Sequence, residues 1–142
     1  MATAAQLLGR KPRAIYSIGP DAPVLEAVRL MAEYGVGALL VMTGDELVGV
    51  ISERDYARKV ILMGRSSSDT PVHQIMTKEV FTVEPGLAVE KCMEIMTNRR
   101  FRHLPVVEAG RVIGMLSIGD LVRAVLAEQA QTIEQLESYI HS

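Results

Sequence analysis

Ser52 and Asp55 stand three residues apart at the end of an apolar run, in "GVISERD" (residues 49–55), and the same types recur in "GMLSIGD" (residues 114–120) as Ser117 and Asp120. At the start of a helix, side chains at that spacing share one side. The serine offers its hydroxyl and its amide, which suit phosphate oxygens. The carboxylate accepts two hydrogen bonds at once, which suits vicinal hydroxyls such as those of ribose. A helix N-terminus adds orphan amides and the positive end of the dipole. Gly49 and Gly114, three residues before each serine, let the chain approach a ligand with no side chain between. Phosphate and ribose together describe a nucleotide. The same S-x-x-D spacing is also an ordinary capping box, in which the Asp reaches back to the first amides of its own helix. One isolated copy favours the cap; two copies in register favour a shared ligand function.

Other chemistry finds little support. Neither serine has a histidine at nucleophile spacing, and the chain contains no P-loop and no metal-binding carboxylate cluster, so an enzyme is not expected, nor a catalytic cofactor or metal. His73 and His141 lack partners at ligand or triad spacing. Cys92 is the single cysteine, which excludes an intramolecular disulfide and points to a reducing interior. It aligns with Ala27 on an apolar helical stripe, the place of a small core residue. No signal peptide and no apolar run of membrane-spanning length is evident, so a soluble, cytoplasmic protein is expected. With 15 basic and 17 acidic residues and a net charge of −2, there is no general basic field for nucleic acid or anionic lipid. The absence of tryptophan leaves little for base stacking. An apolar fraction of 49% indicates a packed core.

The two motifs belong to a longer repeat. A shift of 65 positions carries residues 15–60 onto 80–125 without gaps and keeps Pro20/Pro85, Val24/Val89, Met31/Met96, Leu39/Leu104, Val41/Val106 and Arg58/Arg123 identical. Each copy reads as a short strand (Tyr16 to Ile18; Phe81 to Val83), then a helix with Val24, Ala27, Val28, Met31 or Val89, Cys92, Met93, Met96 on its apolar face. Two strands follow, joined at Thr43-Gly44-Asp45 and Ala109-Gly110-Arg111. The last element is a helix begun by Ser52 ("SERDYARKVIL") or Ser117. The expected fold is α+β, a tandem β-α-β-β-α repeat with pseudo-twofold symmetry packed through its sheets. The first unit spans residues 1–68 with an N-terminal lead-in, and the second spans 69–142 with a C-terminal helical extension. Along that extension Leu126, Ile133, Leu136 and Ile140 continue a helical stripe, either the last face of the core or a contact for another chain.

The duplicated unit with its G-h-h-S-x-x-D motif resembles the cystathionine-β-synthase (CBS) domain pair, or Bateman module, over almost the whole chain, here in a stand-alone, bacterial-type form. The resemblance implies a regulatory sensor that binds adenosine-containing ligands (AMP foremost, then ADP, ATP, NAD or S-adenosylmethionine) in clefts between the paired units. It gives Asp55 and Asp120 the ribose hydroxyls, and Ser52 and Ser117 the ribose or phosphate. By position it gives the adenine to Ser17, Ile18, Val36, Gly37 and Ala38 in the first unit and to Thr82 and Val83 in the second. Arg102 and His103 fall at the phosphate, and Arg54, inside the first motif, is a further phosphate candidate. His103 is open to a second reading as a half-buried packing residue, and Arg99 and Arg100 to one as a solvated cluster at a helix end. Signalling is expected through a homodimer or an unidentified partner in trans. Two alternatives are an interaction scaffold with vestigial ligand sites, and a nucleic-acid binder using Arg54, Arg99, Arg100 and Arg102, whose binding would collapse with salt.

Overall fold

In the computed structural model, which describes residues 2–9 and 15–141, the apolar spacings become helices with matching ends. Helix α1 (Ala4–Gly9) precedes the first repeat. Helix α2 (Val24–Tyr34) buries Val24, Ala27 and Met31 and stops at Gly35, whose φ of 67° is left-handed. Its counterpart α4 (Val89–Arg99) buries Val89, Cys92 and Met96 and stops at Arg100, left-handed at φ 58° without being glycine. The first repeat carries a three-stranded sheet in the order β1 (Ser17–Ile18), β2 (Ala38–Thr43), β3 (Glu46–Ser52). Strand β1 runs parallel to β2, and β2 antiparallel to β3. In the second repeat β4 (His103–Glu108) and β5 (Arg111–Ser117) form a two-stranded sheet. Their turn residues Ala109 and Gly110 both have positive φ, 52° and 79°, as a type I′ hairpin requires.

The strand expected at Phe81 to Val83 is reduced to one residue: Val83 alone bridges Val106 in parallel. The first repeat extends its ladder through Leu40, whose N–H donates to the Tyr16 carbonyl at 3.1 Å. The residue in Leu40's place is Pro105, which has no N–H to give. The motif helices also differ. The first is a short α3 (Glu53–Tyr56) that runs straight into a π-helical turn at Ala57–Ile61. The second is one continuous helix, α5 (Ile118–His141).

Contacts divide the chain along a line the repeat alone does not suggest. Residues 15–81 with 109–113 form one unit, and residues 2–9 with 82–108 and 114–141 form the other. The lead-in expected with the first unit thus packs with the second repeat, and residues 69–81, assigned to the second, pack with the first. The exchange is reciprocal. Thr70 and Pro20 carbonyls accept from Val24 and His73 N–H groups at 2.8 and 2.9 Å, while Val72 N–H donates to Ala22 at 2.8 Å. Displaced by 68 positions in the lead-ins and 65 in the bodies, the same bonds recur: Val89 N–H to Ala2, Ala5 N–H to Pro85 and Ala4 N–H to Leu87, at 3.0, 2.8 and 2.9 Å. The reason lies in the helix starts. Pro23 and Ala88, at the N-caps of α2 and α4, make no side-chain cap, so the first amides take carbonyls from a crossing segment instead.

The same crossing explains the motif glycines. A Cβ on Gly49 would lie 2.7 Å from Met76 Sδ and 3.0 Å from the Thr77 carbonyl, and a Cβ on Gly114 would lie 2.7 Å from Leu8 Cδ2. What comes close is the chain itself, where the sequence suggested a ligand. Thr77 cannot retreat, because it and Val50 exchange backbone hydrogen bonds of 3.0 and 2.8 Å; Leu8 offers only the end of a side chain. Gly49→Ala is therefore expected to cost about 2 kcal/mol and Gly114→Ala under about 1 kcal/mol in urea denaturation. Equal costs would contradict this account.

Burial pushes the Cys92 thiol above its ordinary pKa, nearby Glu90 adds to the rise, and a backbone hydrogen bond opposes it. Fully buried and neutral at pH 8, Cys92 is expected not to react with an aromatic disulfide reagent until the protein unfolds. The sign follows: its contribution to stability is complete below the unfolded thiol's pKa, about 8.5, and is lost as pH rises through the folded value. Rapid labelling of the folded chain at pH 8 would refute the buried placement.

Candidate functional site

Ser52 ends β3 directly across the ladder from Ala38. Its Oγ accepts the Asp55 N–H at 3.2 Å, while its own N–H and O–H donate to Asp55 Oδ2 at 3.0 and 3.1 Å. The capping box is complete. Asp55 is only 8% exposed, and its second oxygen, Oδ1, faces Lys59 Nζ at 3.0 Å and accepts from Thr77 Oγ1 at 3.4 Å. Lys59 Nζ also donates to the Ile75 carbonyl at 2.9 Å, so the crossing segment that covers Gly49 also touches the motif carboxylate. The Glu53 N–H donates to the Gly37 carbonyl at 3.0 Å and ties Val36, Gly37 and Ala38 to the motif. Ser17 and Ile18 lie on the other side of β2, opposite Leu40 and Val41, with Ile18 buried and Ser17 exposed.

The second motif repeats this arrangement. The Ser117 N–H donates to Asp120 Oδ2 at 2.8 Å and Ser117 Oγ accepts the Asp120 N–H at 3.2 Å. Asp120 Oδ1 pairs with Arg123 Nη2 at 2.8 Å. The Ile118 N–H donates to the Arg102 carbonyl at 2.9 Å, the counterpart of the bond between Glu53 and Gly37, and so fixes exposed Arg102 and half-buried His103 beside the motif. Val83 sits against Pro105 and Val107 through bonds of 3.0 and 2.9 Å, with Thr82 exposed next to it.

In both copies one carboxylate oxygen is committed to the helix start and the other to a cation. Cap and ligand site are therefore compatible readings, since the second oxygen faces a cation that a hydroxyl donor can replace. The arrangement corrects one expectation. At each motif three early amides, those of Ser52, Glu53 and Asp55 or of Ser117, Ile118 and Asp120, already have partners within the chain. A phosphate placed there would have to rely on side chains more than on a bare helix end. Exposed Arg54 stands inside the first motif; Gly119 takes its place in the second, and a Cβ there would lie 3.3 Å from Arg123 Nη1. Sequence reading missed Lys59, Arg123 and Thr77. The first two were legible as i,i+4 and i,i+3 partners of the motif Asp residues; Thr77, 22 positions from Asp55, carried no signal. Among the described residues no group of His, Cys, Asp or Glu is placed to hold a metal ion, and no helix is long and apolar enough to cross a membrane.

Comparison with known proteins agrees with the geometry. The CBS domain profile matches residues 12–61 and again 72–127. The CBS domain-containing protein CBSX3, mitochondrial, of Arabidopsis thaliana is 46% identical over 125 residues, covering 84% of this chain, which spans 61% of that relative's length. Among solved structures, a putative signal-transduction protein with CBS domains from Burkholderia ambifaria is 51% identical, with a TM-score of 0.87 over 90% of this chain and 96% of that one. The CBS domain protein PAE2072 from Pyrobaculum aerophilum, complexed with AMP, is 28% identical, with a TM-score of 0.78 over 92% of this chain and 99% of that one. With both repeats matched and both motifs in place, the chain belongs to the CBS-domain family as a tandem pair of CBS units.

Proposed function

We propose that this CBS pair is a cytoplasmic regulatory module, not an enzyme, that binds an adenosine-containing nucleotide, AMP foremost, at the Asp55 and Asp120 edges and signals through a homodimer or a partner in trans. The observation that carries the reading is the twice-made division of a carboxylate, one oxygen held by the cap and the other by an exchangeable cation. Ribose hydroxyls donating to Oδ1 would make charge-assisted hydrogen bonds and free Lys59 or Arg123 for the phosphate, with Arg54 beside the first motif and Arg102 and His103 beside the second. The AMP bound to the Pyrobaculum relative supports this ligand class; ADP, ATP, NAD and S-adenosylmethionine share the adenosine and differ in the tail. Because Lys59 also holds the Ile75 carbonyl, occupancy at Asp55 would loosen the crossing segment, a route from ligand to conformation.

A second reading, an interaction scaffold with vestigial sites, is favoured by the way each motif Asp is satisfied by its own helix and a neighbouring cation. Thermal unfolding against AMP, ADP, ATP, NAD, S-adenosylmethionine and GMP separates the two. A ligand at about 100 times its Kd adds about 2.7 kcal/mol. An adenosine-selective rise in Tm is expected; no rise with any of them leaves the scaffold.

A further inference from the structure

Helix α5 leaves the body of its unit after about three turns. Leu121 and Ala124 are buried, whereas every residue from Gln129 to His141 is exposed. The exposed part is nevertheless apolar along one line: Val122 (42% exposed), Leu126 (58%), Ile133 (57%), Leu136 (58%) and Ile140 (74%), with Gln129 completing it. The spacing alternates four and three residues throughout, a heptad seam with Leu126, Ile133 and Ile140 at a and Val122, Gln129 and Leu136 at d. Such a seam fits one other helix, and a free helix of about a dozen residues is marginal in water.

We propose that a second copy of this chain docks along this seam, its α5 antiparallel to the first. This rests on the self-association part of the proposed function and not on its nucleotide part. In the antiparallel register Val122 packs with the partner's Ile140, Leu126 with the partner's Leu136, and Gln129 with the partner's Ile133, each pair occurring twice by the two-fold axis. The flanking positions agree. Arg123 falls opposite the partner's Glu137 on both sides, and Ala130 lies against the partner's Ala130, where a small residue allows close approach. Val125 falls opposite the partner's Tyr139. Val125 lines an open groove with Glu90, Glu128, Gln129, Thr132 and Ile133, and this groove receives the tyrosine ring, with Glu90 at hand for its hydroxyl.

The parallel alternative stacks Gln129 on its copy, brings the acidic ends with Glu134 and Glu137 together, gives Arg123 no acid on the partner helix and aligns the two helix dipoles. A membrane surface is a poor occupant as well, because the polar face carries Glu128, Glu134 and Glu137 and no lysine. The exposed apolar area of the seam with Tyr139 is roughly 600 Å² per chain and so roughly 1,200 Å² for the pair, which enters the range of specific interfaces.

Light scattering after gel filtration of the full chain at tens of micromolar tests this. The expected mass is twice the 15.6 kDa of one chain or a multiple of two chains. Leu126→Glu and Leu136→Glu, both exposed and so harmless to the folded body, should each halve it while the thermal transition of the body persists. Disulfide formation tests the direction: Val122→Cys protein mixed with Ile140→Cys protein should cross-link, and Ile140→Cys alone should not, because in the antiparallel register the two copies of residue 140 lie about 27 Å apart. Wild-type protein serves as the control, its Cys92 being buried. A monomeric wild type overturns both this inference and the self-association reading. A dimer that survives both glutamate substitutions, or self-linking of Ile140→Cys, overturns this inference alone and places self-association elsewhere. A nucleotide-dependent rise in Tm in the Leu136→Glu monomer would be independent of all three outcomes.

Discussion

Leu7→Ala and Ile75→Ala are each expected to lower the free energy of unfolding by about 3 kcal/mol, and to do so in opposite halves of the repeat. The two residues occupy the same place in the two lead-ins, 68 positions apart, and both are buried, at 3% and 0% exposure. Each lead-in caps the first helix of the other repeat, so the damage should cross over. Leu7→Ala should speed hydrogen exchange at the start of α4, where the Val89 amide depends on the Ala2 carbonyl. Ile75→Ala should speed it at the start of α2, where the Val24 amide depends on Thr70. It should also loosen Lys59, which holds the Ile75 carbonyl. Urea denaturation gives the size of each effect and residue-resolved exchange its place. A loss under about 1 kcal/mol from Leu7→Ala, or faster exchange at α2 in that variant, would show that the exchange of lead-ins does not hold the fold.

That crossing marks the limit of what the sequence makes legible. The helices were readable because Val24, Ala27 and Met31 and their counterparts recur at a period that only a helix brings to one face. The hairpins were readable because Gly44 and the pair Ala109 and Gly110 carry turn chemistry between β-branched runs. The truncated strand beside β4 could also have been anticipated, since Pro105 replaces a residue whose N–H the ladder needs. The lead-ins could not. Their repeat runs at 68 positions where the bodies run at 65, so a gap-free shift never aligns them, and their bonds are backbone bonds that leave no residue preference. The π-helical turn at Ala57–Ile61 is equally silent, because its residues suit an ordinary helix as well. At the candidate site the motif itself was legible through duplication. What Gly49 and Gly114 approach was not, since close approach by a ligand and by one's own chain asks for the same residue.

Asp55→Asn is expected to weaken AMP binding at its site by tenfold to a hundredfold while keeping the helix start capped, and Ser52→Ala is expected to leave AMP binding near the wild-type level while costing about 1 kcal/mol of stability. The amide carbonyl of Asn keeps an acceptor for the Ser52 N–H, the bond now made to Asp55 Oδ2 at 3.0 Å, so the helix start survives. What Asn lacks is the charge, and hydrogen bonds to charged groups contribute about 1.5–3 kcal/mol each, which for one such bond at Oδ1 gives the stated loss. Ser52→Ala removes the acceptor of the Asp55 amide at 3.2 Å, a capping loss of about 1 kcal/mol, and leaves the carboxylate to meet ribose. The pair Asp120→Asn and Ser117→Ala makes the same contrast at the second motif. Isothermal titration calorimetry with AMP, beside urea denaturation of each variant, separates the two functions of one motif. If Asp55→Asn and Asp120→Asn both bind AMP as the wild type does, the carboxylates serve the helices alone, and the duplicated motif is a matched pair of caps.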